Sequence, residues 1–360
     1  MGHRKKHAPR RGSLAYRPRG RARSLVPRVR YWRSSDETKI LGFSGYKAGM
    51  TYGYIVEDNT KSPYHGQEIF CPLTVIDTPP IWICAIRAYE STDRGLKSFA
   101  EAWAKDLPKD LDRATMLPGK EATPMDKALS KIEKELDRVA ELRAIVCTLP
   151  RDAGIHKKKP DIMEIPVGGS SAKEKLDYLK GTLGKKVQVS DIFSEGQYVD
   201  VIAVSKGKGF TGPVKRFGIR ILQNKSRKTV RGVGCIGPWN PTLVTSTVPR
   251  AGQQGFSQRV EFNLRIVKIG SDGKEITPKN GFLRYGVVKG AYLIVKGSIP
   301  GPAKRLIRIR YAARKTEEAK VRLCGDRHIY VRQPGLRHRP DAQAVEEGRA
   351  RDNGREQCLP

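Results

Sequence analysis

Acidic residues are missing from two long stretches of this chain, and this absence constrains the fold more than any other sequence feature. Residues 1–33 contain twelve Lys or Arg residues and no Asp or Glu, and residues 201–260 contain eleven and again none. Residues 90–200, by contrast, carry twenty basic and twenty acidic residues. Because like charges repel in a compact structure, the two acid-free segments require a polyanion that neutralises them. Between them we expect an ordinary globular region.

The class of polyanion follows from the whole composition. A formal net charge of +32 over 360 residues indicates nucleic acid or an anionic membrane surface rather than a protein that is merely soluble. No stretch approaches ~18 consecutive apolar residues, which excludes a membrane span, and the basic N-terminus lacks the apolar core of a secretory signal. Prolines 9, 18 and 27 interrupt the amphipathic helix of a transit peptide. Nucleic acid is therefore the expected partner.

The cysteines and histidines predict neither a metal site nor a cofactor. The six cysteines form no C-x-x-C pair and no histidine cluster accompanies them, so zinc-binding spacing is absent. Scattered cysteines in a long basic chain are typical of reduced thiols in the cytoplasm. We expect a cytoplasmic protein with no metal and no cofactor.

The N-terminal segment "GHRKKHAPRRGSLAYRPRGRARSLVPRVRYW" (2–32) has almost no hydrophobic period and cannot build a core. We interpret residues 1–40 as an extended arm that becomes ordered on its partner. The alternative is a disordered tail that only aids solubility.

Strand patterns stand on both sides of a helical region. Short β-branched and aromatic runs such as "YKAGMTYGYIVED" and "EIFCPLTVIDT" precede it, and "QYVDVIAVSK", "EFNLRIVKIG" and "RLIRIRY" follow it. Apolar residues at 3-4-3 spacing over 129–139 predict one helix, capped by residues 123–126. Ser171 and Glu174 predict a capping box for a second helix, which reaches about Leu179. We therefore predict a mainly β protein: one closed β-barrel with an inserted α+β unit.

The stretch "VIAVSKGKGFTG" (201–212) contains G-x-G-x-x-G directly after a strand, which is the dinucleotide-binding pattern. That site needs a helix that begins at the third glycine and an acid about twenty residues further on. Here Pro213 follows and Gly218 interrupts any helix, while the next acid after Asp200 is Glu261. We therefore reject a nicotinamide site, and no G-K-[ST] completes a phosphate-binding P-loop. The glycines instead allow a close approach of backbone to phosphates.

The candidate phosphate contacts are the basic residues of the two acid-free segments. In the arm they are Arg4, Lys5, Lys6, Arg10, Arg11, Arg17, Arg19, Arg21 and Arg23. In the second acid-free segment, residues 201–260, they are Lys206, Lys208, Lys215, Arg216, Lys225, Arg227, Lys228, Arg231, Arg250 and Arg259.

A tryptophan stands in an unusual setting within "GCIGPWNP" (234–241). Glycines and prolines surround it, and no apolar neighbours follow at strand or helix spacing. We interpret it as the tip of a rigid loop that holds the indole out towards RNA, the tip being Gly237, Pro238, Trp239, Asn240 and Pro241. The alternative is an indole that folds back onto the barrel.

Several motifs in register resemble the family of the large-subunit ribosomal protein number three in its archaeal and eukaryotic form. The similar stretches, in chain order, are "MGHRKKHAPRRGSLAYRPRGRARS", "LGFSGYKAGMT", "VIAVSKGKGFTGPVKRFG", "GPWNPTLVTSTVPRAGQQGFSQRVEFN" and "GFLRYGVVKGAYLIVKGSIPGPAKRLIRIR". They cover most of residues 1–310. The basic stretch before Trp239 is similar only loosely, and the polar tail from Tyr311 does not resemble the family's C-terminus.

The resemblance implies a barrel of the translation-protein type with its α+β unit on the solvent face of the large subunit. Two extensions would enter the large-subunit ribosomal RNA, the arm beside the central loop, with Trp239 at the loop tip near the peptidyl transferase centre. Gln253 and Gln254 would be further RNA contacts, and Gln253 falls where some relatives carry a modified glutamine. Family members aid subunit assembly and are not enzymes. Partners would be this RNA and neighbouring ribosomal proteins, with no membrane and no homo-oligomer.

An RNA-processing or RNA-modifying enzyme is the main alternative, and a DNA-binding protein is another. Residues 201–260 contain no Asp, Glu or His, so general acid–base catalysis would lack its usual groups there, and no helix-turn-helix or zinc pattern is present. The predicted division of the chain is the arm at 1–40, barrel strands at 41–87, the α+β unit at 88–186, barrel strands at 187–206, the central loop at 207–260, closing strands at 261–310 and a polar tail at 311–360.

Overall fold

Fourteen strands and three α-helices make up most of the regular structure in the described part of the chain. A computed structural model of the chain describes residues 9–58, 60–117, 125–314 and 329–330. The strands are β1 (Gly42–Val56), β2 (Glu68–Asp77), β3 (Ile81–Thr92), β4 (Gly95–Trp103), β5 (Glu141–Thr148), β6 (Asp161–Pro166), β7 (Lys186–Val187), β8 (Tyr198–Val204), β9 (Phe210–Thr211), β10 (Gly252–Gln253), β11 (Gln258–Gly270), β12 (Tyr292–Lys296), β13 (Leu306–Tyr311) and β14 (Ile329–Tyr330). The helices are α1 (Met125–Lys134), α2 (Ala172–Thr182) and α3 (Pro213–Phe217). The prediction of a mainly β protein is confirmed.

Six strands are hydrogen-bonded in a ring. The order is β1, β2, β12, β11, β8 and β13, and β13 pairs again with β1. Every neighbouring pair is antiparallel. β14 adds to the far end of β1, opposite Tyr52 and Gly53. The apolar strand runs on both sides of the helical region therefore meet in one sheet.

The alternation in β13 shows how this ring positions the arm. Ile307 and Ile309 are fully buried in the core, whereas Arg308 and Arg310 project from the opposite face, as the period of two requires. These arginines are nevertheless buried, because the N-terminal segment covers them. Their guanidinium groups donate to the carbonyl oxygens of Pro27 and Tyr31 respectively.

A second sheet has the order β4-β3-β5-β6, with β7 paired to β3. All its strands lie between β2 and β8 in the chain, and α1 and α2 pack against β4 and β5. The border between barrel strands and α+β unit was expected at residues 87–88. This position falls inside β3, which begins at Ile81 and lies wholly in the second sheet. Its core is continuous with that of the ring.

The two predicted helices exist, with different ends. In α1, Ile132 is buried and Leu129 is half-buried against the core, as the spacing predicts, but the helix ends at Lys134 and a 3₁₀ turn follows. The predicted cap at Thr123 lies outside the described residues. Ser171 is the N-cap of α2, yet its side chain makes no capping hydrogen bond, so the predicted capping box is wrong. α2 also continues past Leu179 to Thr182, because solvent-exposed Gly181 does not by itself stop a helix.

None of the described helices has the length and apolar character needed to cross a lipid bilayer.

Candidate nucleic-acid interface

The glycine-rich stretch after β8 forms a short ladder and one turn of helix. β9 pairs with β10 on the returning side of the loop. α3 begins with Pro213 at its first position and ends at Phe217, and its C-terminal cap is Gly218, whose φ of 62° is left-handed. The expectation that these two residues exclude a helix was wrong, because proline is favoured at the first helical position and glycine at the C-terminal cap. The helix has only five residues, and residues 201–260 still contain no acid, so no dinucleotide site results.

The chain leaves and returns to the ring as a paired stem, which we define as residues 205–211 and 252–257. Lys208 N donates to Gln254 O at 2.9 Å, and Gln254 N donates to Gly209 O at the same distance. Gly255 is required here: its φ is 71°, and a Cβ would collide with the carbonyl oxygen of Lys206. The stem thus extends the β8–β11 pairing outward from the ring.

Arg216 of α3 connects the outgoing and returning sides of the loop at the end of the stem. Its Nε donates to Gln253 O at 3.1 Å and its terminal nitrogen donates to Arg250 O at 2.9 Å. Gly252 leaves room for this contact, because a Cβ there would lie 2.9 Å from the guanidinium group. Of the predicted phosphate contacts, Arg216 is therefore one that also holds the loop in shape.

The arm lies along this stem. Ala22 N donates to Phe256 O at 2.8 Å, and the Ser257 hydroxyl donates to Gly20 O at 3.1 Å. Arg28 and Gln258 exchange two hydrogen bonds, of 3.1 and 2.6 Å. The described part of the arm therefore runs beside the loop, as the family resemblance implied.

Two more arginines of the arm donate hydrogen bonds to the loop beyond the stem. Arg10 donates to Thr247 O at 2.6 Å, and Arg11 donates to Gly218 O. The Arg19 guanidinium lies 4.7 Å from the centre of the Phe217 ring. Because these contacts join residues more than 190 positions apart, the two acid-free segments form one surface.

A buried ion pair anchors this arrangement to the ring. Arg310 donates twice to Asp200 Oδ2, at 3.1 and 3.0 Å, and Asp200 is fully buried. The same carboxylate accepts from the backbone N–H groups of Asn263 and Ala313, each at 3.0 Å. Arg310 also holds the Tyr31 carbonyl of the arm.

The roles of Asp200, Arg308 and Arg310 were not expected from the sequence. The alternation in "RLIRIR" places these arginines on the outer face of a strand, where exposed polar residues are normal. Only the arm, about 280 residues away in sequence, buries them. The one signal available was the pair of arginines at alternate positions in an otherwise apolar strand.

Most of the predicted phosphate contacts are exposed. Arg4, Lys5 and Lys6 lie outside the described residues. The exposed ones are Arg10, Arg11, Arg17, Arg21, Arg23, Lys206, Lys208, Lys215, Lys225, Arg227, Lys228, Arg231 and Arg250. Arg19, Arg216, Gln253, Gln254 and Arg259 are half-buried.

The surface is strongly positive and lacks internal neutralisation. Over the described ranges, no carboxylate lies within 4 Å of a basic side chain of residues 9–28 or 206–259. Burial, and then the charges of neighbours led by Arg216 and Arg17, lower the pKa of Arg19 below its usual range. The cations are thus close enough to repel one another, and an external anion would relieve that repulsion.

The far part of the loop has a different character. No charged residue occurs between Arg231 and Arg250, and Ile236, Leu243 and Trp239 are exposed, Trp239 at 93% of its surface. The alternative that this indole folds back onto the ring is therefore wrong. A basic stem carries an uncharged, apolar tip, which suits base stacking rather than phosphate contact.

The residues that the structure describes include no group of three or more His, Cys, Asp or Glu side chains placed to hold a metal ion.

Comparisons with known proteins agree on one family. The family model described as Ribosomal protein L3 matches residues 1–324. The large ribosomal subunit protein uL3 of Methanococcus vannielii is 51% identical over 316 residues, which are 87% of this chain and 94% of that protein. The protein of the same name from Archaeoglobus fulgidus is 49% identical over 330 residues, 91% of this chain and 97% of its own length. The paired basic arm and stem, the uncharged tip and these matches lead to one conclusion: the chain belongs to the ribosomal protein L3 family.

Proposed function

We propose that the chain is a structural constituent of the large ribosomal subunit in the cytoplasm and that it binds large-subunit ribosomal RNA. The carrying observation is the packing of the arm along the stem, which joins two acid-free segments into one cationic surface. The family is a structural one, so the chain is not an enzyme. Its partners are this RNA and neighbouring ribosomal proteins, without a membrane and without a homo-oligomer.

The ring of strands is, in this proposal, a closed barrel of the translation-protein type, and the second sheet with α1 and α2 is a unit inserted into it. The closed order of six antiparallel strands supports the first part. The position of β3 to β7 between β2 and β8 supports the second. The proposed division keeps the seven segments expected from the sequence, with the first border of the inserted unit moved to residues 78–80, before β3.

The arm and the stem would bind phosphates, and the tip would bind bases near the peptidyl transferase centre. Lysine and arginine side chains that are exposed and unpaired release counterions when they meet phosphates. An exposed indole among uncharged residues offers a flat face to an unstacked base. The tip in this proposal is Gly237 to Pro241, with Trp239 as its central contact.

One fractionation tests the proposal against the alternative weighed from the sequence, an RNA-processing or RNA-modifying enzyme. Ribosomal large subunits from the source cells are washed in moderate salt and the retained protein is quantified. A structural constituent should remain in stoichiometric amount, because two segments threaded in RNA make many phosphate contacts. An enzyme that acts transiently would be washed into the supernatant, and that result would refute the proposal.

Replacing Trp239 by Ala should leave the free protein's melting temperature almost unchanged and impair translation. A core tryptophan would cost about 3–5 kcal/mol on truncation, whereas an exposed one costs within about 0.5 kcal/mol. Stacking on a base contributes about 1–3 kcal/mol, less than the phosphate contacts of two segments, so the variant should still assemble into subunits.

The measurement pairs the melting temperature with the activity of subunits that contain the variant. Trp32→Ala is the control, because Trp32 packs on the core beside Arg308 and its loss should lower the melting temperature. A destabilised Trp239→Ala protein with fully active subunits would show that the indole is a stability residue.

A further inference from the structure

Among the residues that the structure describes, the half-buried Arg305 side chain has no hydrogen-bonding partner. It stands in the turn between β12 and β13, and its Nε is buried with no acceptor. Its side chain makes no hydrogen bond and no ion pair with any residue of the described ranges. Its guanidinium carbon lies 5.4 Å from the centre of the Phe256 ring, in the stem. Burying a charged group without a hydrogen-bonding partner is unfavourable, so its placement calls for a ligand.

Arg308, three residues later, shows the contrast. It is more deeply buried, yet its two terminal nitrogens donate to Pro27 O at 3.1 Å and to Glu164 O at 2.6 Å. Burial lowers the pKa of both arginines. The terminal nitrogens of Arg308 are thus paired with the protein's own carbonyl groups, although its Nε, like that of Arg305, has no acceptor. Within the described ranges no side-chain nitrogen of Arg305 has an acceptor, and its guanidinium group lies against the Phe256 ring.

Two further cations converge on the same place. Arg21 of the arm lies over the same Phe256 ring, with 5.2 Å between its guanidinium carbon and the ring centre. Lys304 is exposed, and its backbone is held in the left-handed region by a hydrogen bond from its N–H to Lys47 O. Neither side chain pairs with a carboxylate in the described structure.

A cleft of about 220 Å³ adjoins these cations and is lined in part by Leu25, Lys304 and Arg305. It is smaller than the usual small-molecule pocket of roughly 300–1,000 Å³, which suits a phosphate group with its sugar edge. The one carboxylate in its lining, Asp161, is already engaged by Lys157 and Tyr46. The free charge around the cleft is therefore positive.

We infer that Arg305, together with Lys304 and Arg21, binds a backbone phosphate of RNA at the junction of ring, arm and stem. The inference rests on the proposed function and adds two residues, Arg305 and Lys304, that lie outside the two acid-free segments. The phosphate replaces the missing acceptor of Arg305, and the apolar face of Phe256 keeps the guanidinium groups oriented. An RNA strand is favoured over an acidic protein because the neighbouring surface is the cationic arm and stem.

The test compares Arg305→Gln with the wild-type full-length chain in two measurements. The first is binding to transcribed large-subunit ribosomal RNA at several salt concentrations. Losing one phosphate contact should reduce the slope of log affinity against log salt by about 0.7–0.9, which corresponds to about five- to eight-fold weaker binding at 0.1 M salt. Arg305→Lys should keep the slope, and Lys131→Gln, an exposed change on α1, should leave it unchanged.

The second measurement is the melting temperature of the free protein. Arg305→Gln should melt at the same or a higher temperature, because an uncompensated cation is removed. Arg308→Gln should melt several degrees lower, because two backbone carbonyls lose their donor. A lower melting temperature for Arg305→Gln would mean a structural role and would overturn the inference.

An unchanged salt slope for Arg305→Gln would also overturn the inference. If large ribosomal subunits nevertheless retained less of this variant during a salt wash, the ligand of Arg305 would be a protein carboxylate. If the wild-type chain itself binds the ribosomal RNA without salt dependence, the proposed function fails, which is a different result from the failure of this site.

Discussion

Replacing Asp200 by Ala should lower the free energy of unfolding by about 3–5 kcal/mol. The carboxylate is fully buried and accepts hydrogen bonds from Arg310 and from two backbone N–H groups. Without it, the Arg310 charge remains buried and unpaired, and the two N–H groups lose their acceptor. Because Arg310 also holds the Tyr31 carbonyl, the arm should loosen at the same time.

Chemical denaturation of the free protein measures this change, and Glu261→Ala is the matched control. Glu261 lies on β11 and pairs with Val201 of β8, the residue that follows Asp200. Unlike Asp200, Glu261 is exposed. Its removal should change stability by no more than about 0.5 kcal/mol. Equal effects of the two substitutions would contradict the assignment of Asp200 as the anchor.

Limited trypsin digestion follows the arm in the same variants. Cleavage after Arg28 or Arg30 should accelerate in Asp200→Ala and not in Glu261→Ala, because only the first removes the support of Arg310. Faster cleavage in Asp200→Ala alone would show that the loss of this carboxylate on the ring releases the arm.

The β character of the chain was predictable because each strand carries its own alternation. The ring was not, since β1 pairs with β13 and Gly42 lies opposite Arg310, about 270 residues away. No local pattern specifies such a pairing; it follows from packing the apolar faces of all six strands together. The return of the loop to the ring was predictable, because Glu261 ends the acid-free stretch, and it does lie on β11 beside β8.

The sequence predicted which segments of the chain are cationic, but it did not predict how the folded chain arranges their side chains. The absence of acids identified both basic segments, yet it could not separate arginines that hold the protein from those that remain free. Arg216 and Arg11 donate to backbone carbonyls of the loop, whereas Lys206 and Lys208 do not. Only the folded arrangement makes that distinction, and it also adds Arg305, which the charge pattern did not single out.

Neutralising the free cations of the loop together should weaken RNA binding far more than any single substitution in the chain. The variant replaces six exposed residues by Gln, none of which bonds through its side chain to the described chain: Lys206, Lys208, Lys215, Lys225, Arg227 and Lys228. If each meets a phosphate, the salt slope should fall by about 4–5, and affinity at 0.1 M salt by roughly 10⁴- to 10⁵-fold. The melting temperature of the free protein should hold or rise, because like charges are removed and no contact is lost.

The matched control removes the same number of charges from the charge-balanced region, at exposed lysines that form no ion pair in the described structure: Lys109, Lys127, Lys131, Lys134, Lys158 and Lys159. It changes the net charge equally but leaves the cationic surface of arm and stem intact. If net charge alone steered the protein to RNA, both variants would lose the same salt slope. Because counterions are released only where a cation meets a phosphate, we expect the control to keep nearly the wild-type slope. Equal losses in the two variants would show that these cations of the loop do not form the RNA-binding surface.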